Sequence, residues 1–160
     1  MSAVEFQLNG APCRLEAEDS LPLLQALRAH CGLVGTRLGC GQGQCGACHV
    51  LIDGRSQSAC NTPLWAVAGK AVTTVEGLAD AQGQPGVLQQ AFIDEQAAQC
   101  GYCLSGILVS AAELLHTHPE PTEAQVRTAL DGHLCRCGSH NRIVRAVLRA
   151  ADRLRQASPA

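Results

Sequence analysis

Cys40-Gly41-Gln42-Gly43-Gln44-Cys45-Gly46-Ala47-Cys48 places three thiols in nine residues, and a fourth, Cys60, follows after 11 intervening positions. The spacing C-x4-C-x2-C with a distant fourth cysteine is that of a plant-type [2Fe–2S] site. A two-iron core is compact, so the chain around it must turn sharply. Gly41, Gly43 and Gly46 permit such turns and leave amides free to face sulfur. A structural zinc site more often pairs two Cys-x2-Cys elements.

The residues around this loop supply its frame. Val4, Phe6 and Leu8 alternate with polar residues and lead into Asn9-Gly10, a tight-turn pair. The return strand runs through Pro12, Cys13 and Leu15. Ser20 is placed to cap a helix carrying Leu23, Leu24 and Leu27, with Gly32 near its end. After the cysteine loop, His49-Val50-Leu51-Ile52, the turn Asp53-Gly54 and a return toward Cys60 predict a second hairpin. A last strand is expected over Val72 to Val75. Hairpin, helix, hairpin and strand make a small mixed unit most like a β-grasp.

From Leu78 to Gly86 the chain is rich in Gly, Ala, Gln and Asp, which reads as a linker. Beyond it the apolar period changes from two to 3.6. Leu88, Ala91 and Phe92 share one helical face, and Leu104, Ile107, Leu108, Ala111, Leu114 and Leu115 form a wide apolar stripe. Thr122 with Gln125 matches a capping box for a short helix ended by Gly132. A last helix from about Asn141 is expected to bury Ile143, Val144, Val147, Leu148, Ala151 and Leu154. The expected fold is therefore α+β: a β-grasp unit over 1–77, a linker over 78–86, and a four-helix bundle over 87–160.

The second half carries its own thiol set. Cys100 and Cys103 lie at a helix start; Cys135 and Cys137 follow after 31 intervening residues, between two later helices. Two helix N-termini would converge on them, and their dipoles favour negative charge. On spacing alone, zinc and iron are nearly even here.

Composition narrows the remaining classes. The formal net charge of −2 gives no reason to expect a nucleic acid or anionic membrane partner. Aromatic residues are 2% of the chain, so the cores must be built from Leu, Val, Ile and Ala, and bound clusters are expected to add stability. Met1-Ser2-Ala3-Val4-Glu5 has no basic or apolar character of a secretory signal, and no apolar run reaches the length of a membrane span. The expected location is cytoplasmic, with membrane association only through a partner subunit. In a reducing compartment thiols serve as ligands more often than as disulfides.

The neighbours of the cysteines carry a resemblance. Gln99-Cys100-Gly101-Tyr102-Cys103-Leu104-Ser105-Gly106 and Cys135-Arg136-Cys137-Gly138 resemble the second cluster motif of the xanthine oxidase family. Thr36-Arg37-Leu38-Gly39-Cys40 before the first cluster and the run from Ala68 to Gly77 before the linker also resemble that family. The resemblance covers nearly the whole chain. It implies the small iron–sulfur subunit of a molybdenum hydroxylase: a plant-ferredoxin-like domain followed by a four-helix bundle with a second [2Fe–2S] cluster. It implies Cys40, Cys45, Cys48 and Cys60 as ligands of the first cluster, and Cys100, Cys103, Cys135 and Cys137 as ligands of the second. It further implies that Gln99 hydrogen-bonds a molybdopterin held by a large partner subunit, and that Cys137 is the ligand nearest to it. The run Gly138-Ser139-His140-Asn141-Arg142-Ile143 is most like the isoquinoline 1-oxidoreductase and nicotinate dehydrogenase branch. There the electron acceptor is often a cytochrome c subunit in place of a flavin subunit.

The resemblance implies an electron-transfer subunit, without substrate turnover of its own. It would relay electrons from the molybdopterin centre through two [2Fe–2S] clusters to haem c or flavin. The partner would hydroxylate an N-heteroaromatic compound, such as isoquinoline or nicotinate, or oxidise an aldehyde. A free-standing two-cluster ferredoxin and a zinc-stabilised interaction module are the competing classes. Cys13, Cys31, Trp65 and Tyr102 read as packing residues, His49 as a strand residue, and Arg142, Arg145, Arg149 and Arg153 as a solvated stripe.

Overall fold

A computed structural model describes residues 2–157. Met1 and residues 158–160, at the outer ends of the two expected units, lie outside it. Strands β1 (Ser2–Leu8) and β2 (Ala11–Ala17) pair antiparallel through Asn9-Gly10, whose φ values of 50° and 82° give the twist a two-residue hairpin needs. β3 (His49–Ile52) and β4 (Arg55–Ser58) repeat the device at Asp53-Gly54. β5 (Ala71–Thr73) joins the hairpins, parallel to β1 and antiparallel to β3, giving the order β2-β1-β5-β3-β4.

Helix α1 (Leu23–Gln25) widens into a π-helical turn, Ala26–His30, and belongs to the same core as the sheet. Leu23, Leu27, Val50, Leu64 and Val67 are fully buried there, so aliphatic side chains do the work that aromatics do elsewhere. Ser20 does not cap α1: Pro22 holds the N-cap position, and Ser20 Oγ donates to Glu18 instead. The last strand ends at Thr73, short of Val75. Asn9 Oδ1 accepts the Thr74 N–H at 2.8 Å, and Val75–Leu78 closes into a 3-10 turn whose apolar side chains pack against the second core.

The second half contains α2 (Val87–Asp94), α3 (Leu104–Thr117), α4 (Glu123–Leu130) and α5 (His140–Ala157). α5 packs on α2 and α4, while α3 packs on α4 and also on β3 and β4. Ile107, Val126, Ile143 and Val147 are fully buried in this core. Thr122 caps α4 reciprocally with Gln125. Leu154 does not join the core; it is 39% exposed near the end of α5. No helix among the described residues is long and apolar enough to cross a membrane.

The arginine stripe of α5 grips α2. Arg149 and Arg145 pair with Glu95 at 2.8 and 3.4 Å, and Arg153 with Asp94 at 2.5 Å. Hydrogen bonding to Arg149 holds the Glu95 carboxyl below its ordinary range. A carboxylate depressed in the folded state contributes stability above its unfolded value, about 4.3, that is lost as pH falls through its folded value. Glu95→Gln is therefore expected to melt below wild type at pH 7. The difference should close below about pH 4, as followed by circular dichroism melts.

Candidate metal centres

The loop from Gly39 to Cys48 turns its amides inward. Cys40 Sγ accepts from the Gln44 and Gln42 N–H groups at 3.2 and 3.4 Å, Cys45 Sγ from Cys40 N–H at 3.3 Å, and Cys60 Sγ from Gly43 N–H at 3.3 Å. The Gln42 and Gln44 amides lower the Cys40 thiol to about 6. Burial pushes Cys48 up to about 11. Gly41, Gly43 and Gly46 all have φ near +70° to +78°, which only glycine adopts readily. Gly39 has a second reason to lack a side chain: a Cβ there would lie 2.4 Å from Cys45 Sγ.

The second set gathers at two helix starts. Cys103 is the N-cap residue of α3, and Cys135 and Cys137 lie in the turn before α5. The Tyr102 N–H reaches Cys100 Sγ at 3.5 Å and is the largest cause of that thiol's lowered pKa. Burial pushes Cys103 up to about 12. At Cys135 burial acts upward, but hydrogen bonds from the Ser139 N–H, Cys103 and the Cys137 N–H outweigh it, and the net shift is downward.

The donor set suits a two-iron core. Thiols act on one another in pairs: Cys40 with Cys45 and Cys48 with Cys60, then Cys103 with Cys135 and Cys100 with Cys137. A [2Fe–2S] rhomb asks for two thiolates on each of two irons, which paired thiols answer.

The two sites are joined. Leu134 N–H, one residue before Cys135, donates to the Cys45 carbonyl at 3.1 Å. Ser105 Oγ of α3 donates to the Ala47 carbonyl at 3.0 Å. A hydrogen-bonded chain runs from His49 Nδ1 to Ser56 Oγ (2.7 Å), to Ser110 Oγ (2.6 Å), to His133 Nε2 (2.8 Å). Burial lowers both histidines, His133 to about 4, so both are neutral at pH 7.

Cys40, Cys45 and Cys48 thus lie in the loop before β3 and Cys60 just after β4, while Cys100 and Cys103 precede α3 and Cys135 and Cys137 precede α5. Gln99 is exposed beside Cys100. Tyr102 is more than packing: its hydroxyl donates to the Leu38 carbonyl at 2.6 Å, and the Arg37 guanidinium lies 5.1 Å from its ring centre. Trp65 is not a core residue; it is 61% exposed. Sequence reasoning missed Ser105, Ser110 and His133. The signal for the serines was present, as hydroxyls interrupting the apolar stripe of α3.

Residues 6–78 match the family described as "2Fe-2S iron-sulfur cluster binding domain", and residues 74–148 the family described as "[2Fe-2S] binding domain". The chain is 48% identical to one subunit of the nicotinate dehydrogenase of Pseudomonas putida, over 97% of this chain and 98% of that one. It is 50% identical to the alpha subunit of isoquinoline 1-oxidoreductase from Brevundimonas diminuta, over 92% and 97%. Among solved structures, quinoline 2-oxidoreductase from Pseudomonas putida 86 superimposes with a TM-score of 0.92 at 35% identity, over 99% of this chain and 98% of that chain.

Proposed function

Since this chain belongs to the small iron–sulfur subunits of the xanthine oxidase family of molybdenum hydroxylases, we propose the residues, partners and substrate class of its electron transfer. The chain binds two [2Fe–2S] clusters and serves a large subunit that holds molybdopterin. When bound, each cluster supplies a one-electron carrier.

Cys40, Cys45, Cys48 and Cys60 hold the first cluster in this reading, and Cys100, Cys103, Cys135 and Cys137 the second. The inward amides of Gln42, Gly43 and Gln44 stabilise negative charge on the first site's sulfurs. The α3 and α5 N-termini do the same for the second. Gln99 and Cys137 face the molybdopterin of the large subunit. Strand order and the two separate cores support a β-grasp unit over 1–77 and a four-helix bundle over 87–160, with 78–86 between them.

The observation that carries the relay reading is the Leu134 to Cys45 hydrogen bond. It leaves one peptide link and one hydrogen bond between a residue of each thiol set. Leu134 is itself 66% exposed and Tyr102 45%, an apolar surface beside the sites that favours a docked partner over a free-standing ferredoxin. The likeness to nicotinate dehydrogenase and isoquinoline 1-oxidoreductase subunits favours an N-heteroaromatic substrate over an aldehyde. The acceptor is a haem c or flavin partner.

The test uses the chain purified with its large subunit. Nicotinate or isoquinoline, added anaerobically without acceptor, should bleach the visible absorption and produce two rhombic paramagnetic signals. Product formed while both sites stay oxidised would overturn the relay.

A further inference from the structure

The main chain between Cys45 and Cys48 is clasped from the other half of the molecule, and His133 is central to the clasp. His133 is 4% exposed. Its Nε2 shares a 2.8 Å hydrogen bond with Ser110 of α3, and its backbone carbonyl lies 3.2 Å from His140 Nε2 at the start of α5. The ring is therefore held from α3, and the main chain of the same residue from the start of α5. Its other nitrogen, Nδ1, is turned against the Gly46 main chain, near enough for the Gly46 backbone to act on the ring though short of well-formed hydrogen-bond geometry: a Cβ built on Gly46 would lie 2.2 Å from it. The next residue, Leu134, donates to the Cys45 carbonyl.

We propose that His133 is a positioning residue, wedged between Ser110 and the Gly46 main chain, that fixes the Cys45–Cys48 loop against the Cys135 turn and so sets the spacing of the two thiol sites. The inference rests on the reading of these sites as [2Fe–2S] centres. The amides that donate to the first site's sulfurs, those of Cys40, Gln42, Gly43 and Gln44, are not the ones against which His133 packs, so the spacing is what His133 controls. The long His49–Ser56–Ser110–His133 chain holds the wedge in register with the sheet, since it ties β3 and β4 to α3.

Dipolar coupling between two reduced, paramagnetic centres falls steeply with their separation, which makes it the direct readout. With wild-type chain carrying both clusters and fully reduced, the two signals should show resolved splitting at low temperature. His133→Ala should lose that splitting while both signals remain and each midpoint potential stays near its wild-type value. His133→Gln, whose amide reaches Ser110 as Nε2 does, should restore most of it. Unchanged splitting in His133→Ala overturns the inference and leaves the relay standing; absent splitting in the wild type counts against the relay itself. Should His133→Ala fail to assemble, Ser110→Ala supplies the answer: narrowed splitting supports the wedge, and wild-type splitting overturns it.

Discussion

Cys137→Ala is expected to carry about two irons per chain where the wild type carries about four, with the first site's spectrum unchanged. Cys137 shares its pair with Cys100, and its loss leaves one iron position short of a thiolate. Cys103 offers no substitute, because it already interacts with Cys135. The first site keeps all four of its thiols and its own amide donors, every one within residues 40–60. Electron entry from the molybdenum subunit should therefore stop while the loop from Cys40 remains loaded. Iron and labile-sulfide analysis with low-temperature paramagnetic resonance reads both outcomes. Loss of both clusters would show that the Leu134–Cys45 link is needed to assemble the first site as well.

Gly106→Ala should be among the most damaging conservative changes in the chain. In a helix interior alanine is ordinarily better than glycine by about 1 kcal/mol. Here a Cβ would fall 1.8 Å from the Gly46 carbonyl oxygen. The obstacle is main chain, so no rotamer change relieves it; α3 must back away from the first loop. Overpacking of this kind costs about 1–3 kcal/mol and occasionally more, and the upper end is expected with backbone on both sides. The Ser105–Ala47 and Leu134–Cys45 bonds would stretch together. Gly132→Ala is the control, since a Cβ there meets nothing within 4 Å; its urea midpoint should match or exceed wild type while that of Gly106→Ala falls.

What could be read in the sequence was local. Asn9-Gly10 and Asp53-Gly54 specify their turns through positive φ, and Thr122 with Gln125 specifies a helix start, because each signal needs only its own neighbours. The elements around the cysteines belong to the same class: Cys40, Cys45 and Cys48 lie in the loop before β3 and Cys103 at the start of α3, where the local pattern puts them. Failures arose where distant chain decides. Val72 to Val75 reads as a full strand, yet the Asn9 side chain, 65 residues away, captures Thr74 and ends it. The α5 arginines look solvated from their own helix but meet Asp94 and Glu95 on another. His133 shows nothing in Gly132-His133-Leu134-Cys135 to set it apart, because its meaning lies in Gly46, brought to it only by the fold. Trp65 reads as a core residue by chemistry and remains exposed, and nothing in the structure explains that position.

The central claim is that two paired-thiol sites in one chain each hold a two-iron cluster. Metal and acid-labile sulfide analysis of the purified chain, with paramagnetic resonance after dithionite reduction, tests it most directly. The expected result is about four iron and about four sulfide per chain, with two distinct rhombic signals. About two zinc with no sulfide and no signal would contradict it.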